Sequence, residues 1–81
     1  MPMADLSQLM WQTMRRRRLS SEALAERTGI RAPRIRAFLE DGATGPVRPT
    51  HDELAELAAA LVLPLPDVLV AAGIHRRLAG V

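Results

Sequence analysis

Apolar residues recur at helical spacing along almost the whole chain, and Gly29, Gly42 and Pro64 cut that recurrence into short lengths. Helices of that length are marginal in isolation and persist only by packing their apolar faces together. Strand signals are weak: valine and isoleucine total eight, tyrosine is absent, and no stretch alternates polar with apolar. The expectation is an all-α fold of five short helices around a single core. At 81 residues the chain, 1–81, is expected to form one domain, with a tail over 74–81.

The helix limits follow from caps. Asp5, with Gln8 three residues on, is placed to start a first helix running to about Arg18, with Leu6, Leu9, Met10, Thr13 and Met14 on one face. Ser20 or Ser21 caps a second, whose inward residues are Leu24, Ala25 and Thr28 and which Gly29 ends. Pro33 fits only a first turn, so a third helix begins near Arg31 or Ala32, buries Ile35, Phe38 and Leu39, and closes at Gly42. Residues 42–49 read as a loop. Thr50 and Glu53 form a capping box for a fourth helix with Leu54, Leu57, Ala58 and Leu61 inward. Pro64 breaks it, and Pro66 opens a short fifth helix through Val70 to Gly73.

Composition removes several function classes. There is no cysteine, so disulfides, thiolate catalysis and cysteine-ligated zinc are excluded. His51 and His75 are too few for a dedicated imidazole metal site, and both read as exposed structural residues. Ser20 and Ser21 are caps with no histidine placed to activate them, and neither a phosphate loop nor paired carboxylates stands out. No enzyme, cofactor or metal is expected. The N-terminus lacks the pattern of a signal peptide, and Pro64 and Pro66 interrupt the longest uncharged stretch, so a cytoplasmic, nucleoid-associated location without membrane contact is expected.

The net charge is only +2, yet all eleven basic residues are arginine and they are segregated. Arg15–Arg18 run consecutively at the end of the first helix, and Arg31, Arg34 and Arg36 cluster in the third. The acids Glu22, Glu26, Asp52, Glu53 and Glu56 collect in the second and fourth. A basic strip beside an acidic one suits a phosphate backbone better than the sum suggests. The run at 15–18 also complements the dipole of its own helix, so its bland reading is a solvated helix end.

The informative stretch is Leu19 to Gly42. Two short helices meet across a turn holding Gly29, with the small Ala25 four residues earlier and Ile30 just after. Helices crossing steeply through so short a turn need a left-handed residue there and a small one beneath it. The run Leu19-Ser20-Ser21-Glu22-Ala23-Leu24-Ala25-Glu26-Arg27-Thr28-Gly29-Ile30 resembles the Cro-type, lambda-repressor-like (XRE) helix-turn-helix family. The likeness continues through Ile35, Phe38, Pro49-Thr50, Leu54, Leu57 to Leu61 and Leu63-Pro64-Leu65, and spans roughly Leu6 to Gly73.

The resemblance implies double-stranded DNA as partner, with the helix-turn-helix core at 19–42, and a bacterial transcriptional regulator as the role. Carried over by position, Ser21 contacts a phosphate, Ala32, Pro33, Arg36 and Ala37 face the bases, and Arg34 lies near the backbone. Relatives more often hold Gln, Ser or Arg where Ala32, Pro33 and Ala37 stand. The helical wheel independently centres Pro33 and Ala37 on the exposed face, flanked by Arg34 and Arg36. Direct readout then rests on Arg36 against a guanine, with Pro33 and Ala37 against thymine methyls. Arg31, at an N-cap without a capping side chain, leaves free amides for water or a phosphate oxygen. Arg16 and Arg48 are further phosphate candidates, while Arg27 is expected to pair locally with acids.

A homodimer is expected to match a palindromic site. Its candidate interface is Trp11, Val70 and Ile74, because Trp11 lies off the apolar face of its helix and the fifth helix is apolar nearly all round. Trp11 has a second reading, packing on a terminal segment of its own chain near Ile74 or Leu78. The competing function is a protein-interaction module on the same fold, contacting a larger protein through Trp11 and the fifth helix.

Overall fold

The computed structural model describes residues 5–74, and within them the chain folds into five α-helices with no strand. They are α1 (Leu6–Arg17), α2 (Ser21–Thr28), α3 (Ala32–Asp41), α4 (His51–Leu61) and α5 (Leu65–Ala71). The all-α expectation holds. His75 and Leu78 lie outside the described residues, as does the tail beyond Ile74.

Local chemistry sets most of the limits. The Asp5 carboxylate accepts the Gln8 amide at 2.9 Å and starts α1; Ser20 does the same for α2 through the Ala23 amide at 3.0 Å. Thr50 and Glu53 satisfy each other's amides reciprocally at 3.0 and 2.8 Å, completing the capping box of α4. Helix α3 starts at Arg31 with no side-chain cap, as its sequence implies. Helix α5 begins earlier than Pro66, at Leu65, because Pro64 serves as its extended N-cap and Pro66 falls in the permitted first turn.

Helices α1 and α4 end in a way the sequence conceals. Arg18 and Val62 both adopt the left-handed conformation, at φ 56° and 57°, where glycine is usual. In each case the next residue folds back: the Leu19 amide reaches the Met14 carbonyl, and the Leu63 amide the Ala58 carbonyl, both at 2.9 Å. Leu19 and Leu63 pack against the core, so their burial holds the preceding residue in an unfavourable backbone state. Gly42 ends α3 differently, at φ 64° and ψ −140°, a conformation open only to glycine.

One cluster of buried side chains joins all five helices. Leu6, Met10 and Met14 of α1, Leu24 of α2, Ile35, Phe38 and Leu39 of α3, Leu54, Leu57, Ala58 and Leu61 of α4 and Val68 of α5 belong to it, with Ile30 between α2 and α3. Fully burying a side chain of the Leu, Ile or Phe class is worth about 1.5–3 kcal/mol, so this cluster fixes how the helices sit. Thr13 is buried among them and its hydroxyl has no partner. Helix α3 packs on α1 and α2, and α4 on α2 and α5.

Candidate nucleic-acid interface

Helices α2 and α3 are joined by Gly29, Ile30 and Arg31. Gly29 is left-handed at φ 78°, and its amide donates to the Ala25 carbonyl at 2.8 Å. The Thr28 hydroxyl donates to the Leu24 carbonyl at 2.8 Å and accepts the Ile30 amide at 3.1 Å. Ile30 is thereby held inward, where it is 6% exposed. The turn is closed by glycine geometry, one threonine hydroxyl and one buried isoleucine.

This arrangement presents one side of α3 to solvent. Arg31, Pro33 and Arg36 are exposed, with Ala32 and Ala37 half-buried beside them, while Ile35, Phe38 and Leu39 face the core. Ser21, the first residue of α2, is half-buried, and its hydroxyl lies 3.3 Å from Glu22 Oε1. Arg36 Nη1 is 3.4 Å from Glu22 Oε2, with both side chains largely exposed. Arg15–Arg18 are all exposed, and Arg15 and Arg16 line an open groove of about 460 Å³ with Gln12.

Arg34 stands apart from the other arginines. Its Nε and Nη2 each donate to the Glu53 carboxylate at 2.8 Å, and Nη2 also reaches the Arg48 carbonyl at 3.2 Å. The guanidinium lies over the Phe38 ring, 5.5 Å from its centroid. The hydrogen bonds from Arg34 hold the Glu53 carboxyl below the ordinary carboxylate range, with the Thr50 amide assisting and partial burial opposing. The hydrogen bond to Glu53 likewise raises the basicity of Arg34. The side chain expected near a DNA backbone is thus engaged within the protein, bracing α3 against the first turn of α4. Arg48 keeps its side chain exposed while its carbonyl accepts from Arg34.

Trp11 does not reach the end of the chain near Ile74. Its indole N–H donates to the Leu39 carbonyl at 3.1 Å, and the ring, 49% exposed, lines a groove of about 190 Å³ with Ser21, Arg36, Leu39 and Glu40. Ser7, one helical turn earlier, donates its hydroxyl to the same carbonyl. The reason lies in α3: it ends at Asp41, so the Leu39 carbonyl has no intrahelical donor, and two residues four apart on α1 supply one each. Val70 and Ile74 line a separate apolar groove of about 320 Å³ with Pro66 and Leu69, so Trp11 and α5 do not form one surface.

Arg27 is also placed differently from its expectation. Neither ion pair between described residues includes it. The nearest acids in sequence, Glu22 and Glu26, stand five and one positions away, and neither spacing shares a helical face with it. Sequence reasoning missed the Arg34–Glu53 brace, the Thr28 hydroxyl and the Ser7–Trp11 pair on Leu39. The only signal available was that Glu53 follows Thr50 by three, which located one partner of the brace without the other.

No curated protein and no solved structure gives a significant match to the chain. The model of the Cro/C1-type HTH DNA-binding domain matches residues 10–72. That match takes in the greater part of α1, the whole α2–turn–α3 unit, and α4 and α5. With five helices, no strand among the described residues, and the glycine turn between α2 and α3, the chain belongs to the Cro/C1-type helix-turn-helix DNA-binding domain family.

Proposed function

We propose that the chain binds double-stranded DNA sequence-specifically and regulates transcription in a bacterial cytoplasm. The reading has α3 in the major groove, α2 bracing it, and arginines holding the phosphates. The observation that carries it is the exposed strip of α3 bearing Arg31, Ala32, Pro33, Arg36 and Ala37, set by the turn at Gly29. Arg36 is the one residue of that strip with two donors suited to a guanine edge, and Pro33 and Ala37 offer apolar contact for thymine methyls. Ser21, Arg16 and Arg48 serve as phosphate contacts, and Arg34 acts by orienting α3. The discriminating experiment is a fluorescence-anisotropy titration with random-sequence duplex at low and moderate salt. Salt-sensitive binding supports the reading, and no binding at low salt overturns it.

A second reading is favoured by one observation: the groove of Pro66, Leu69, Val70 and Ile74 is apolar, with Val70 46% exposed. A second copy of the chain seated there gives a homodimer; a different protein seated there gives an interaction module. Sedimentation across a concentration series separates these, since only the first changes mass with the chain alone.

A further inference from the structure

Glu22 stands between two residues of the proposed DNA surface. Its Oε1 lies 3.3 Å from the Ser21 hydroxyl and its Oε2 lies 3.4 Å from Arg36 Nη1. The Glu22 side chain is 71% exposed and that of Arg36 is 53% exposed, so the pair adds little to folding stability. It nonetheless links α2 to α3 across the side that α3 offers to solvent. The other acid beside Arg36 is Glu40, one turn further along α3 in the groove shared with Trp11.

We propose that Glu22 is a specificity-determining residue that withholds Arg36 from arbitrary DNA; the inference rests on the DNA reading of α3. In the free protein the Arg36 guanidinium is shared with the Glu22 carboxylate. On an arbitrary duplex the competing acceptor is a phosphate, similar in charge to a carboxylate that is already in place. Arg36 therefore stays with Glu22, and one phosphate contact is forgone. A guanine presents O6 and N7 together, matching two donors of the planar guanidinium, and that geometry draws Arg36 away. The carboxylate thus weakens non-specific binding more than specific binding, which is discrimination by a competing internal acceptor.

The test is Glu22→Gln, which removes the charge and keeps the shape. Two probes are used: a random-sequence duplex, and the duplex selected from a random pool by the unsubstituted chain. The expected result is random-duplex binding tighter by about 3–10-fold at low salt, with a log–log salt slope steeper by about 0.9, the signature of one more phosphate contact. Binding of the selected duplex changes by less than about twofold. In an Arg36→Ala background the same substitution leaves the random-duplex slope unchanged. Equal tightening on both duplexes, or equal tightening with and without Arg36, makes Glu22 a general surface charge and overturns the proposal; so does unchanged random-duplex binding. If the unsubstituted chain binds neither duplex, the DNA reading itself falls, and the role of Glu22 falls with it.

Discussion

The guanidinium of Arg34 on α3 grips the carboxylate of Glu53 on α4 through two bonds of 2.8 Å, while Glu53 also accepts the Thr50 amide that starts its helix. One carboxylate therefore closes a helix end and fixes the angle at which α3 sits. The Glu53 carboxyl is lowered in the folded state, so its contribution is fully present above the unfolded value of about 4.3 and is lost as pH falls through the lower folded value. Glu53→Gln keeps a side chain able to complete the capping box but removes the charge. The variant is expected to melt below the unsubstituted chain at pH 7, and the gap is expected to shrink as pH is lowered below 4. A gap that stays constant with pH, followed by circular dichroism, removes the ion pair as its cause.

Val62 is expected to be the site of an easy stabilisation. A β-branched residue at φ 57° is strained, and at 66% exposure little packing is lost by trimming it. A left-handed L-residue costs about 1–2 kcal/mol, against about 0.5–1 kcal/mol of extra unfolded-state entropy for glycine. Val62→Gly is expected to stabilise by about 0.5–1 kcal/mol, raising Tm by roughly 2–8 °C. A lower Tm means the strain is relieved some other way.

Thr13 offers the opposite kind of change, inside the core. Its side chain is 1% exposed and its hydroxyl has no partner. Thr13→Val preserves the shape and removes the unsatisfied group, with an expected gain of about 1 kcal/mol in urea denaturation. Thr13→Ala is expected to lose stability instead, since it leaves a cavity. Equal losses for both variants assign the hydroxyl a partner.

Arg36 and Arg16 separate reading from holding. Arg36→Ala is expected to relax base preference by about 1–3 kcal/mol at one position of a selected site. Arg16→Ala is expected to weaken all duplexes alike and to reduce the salt slope by about 0.9. Equal loss across sequences for Arg36→Ala, measured by competition with mismatched duplexes, removes its reading role.

Helix number, most boundaries and the buried face of each helix were legible from the residues alone. Asp5, Ser20 and Thr50 act on amides three residues away, and Leu24, Ile35, Phe38 and Leu54 repeat at the helical period, so these features are local. The turn at Gly29 was legible for the same reason. The ends at Arg18 and Val62 were not, because nothing in those side chains favours a left-handed backbone; burial of Leu19 and Leu63 imposes it.

The candidate surface divides along the same line. The sequence by itself determined that arginines gather at the end of α1 and along α3, and that Pro33, Arg36 and Ala37 fall on the side of α3 away from Phe38. Only the tertiary structure decided which arginine is engaged internally, because Glu53 is nineteen residues from Arg34 and meets it solely through the packing of α3 and α4. It also decided where Trp11 goes. An unmatched carbonyl at the end of α3 becomes an acceptor for α1 only once the two helices lie side by side, a relation that no local pattern encodes.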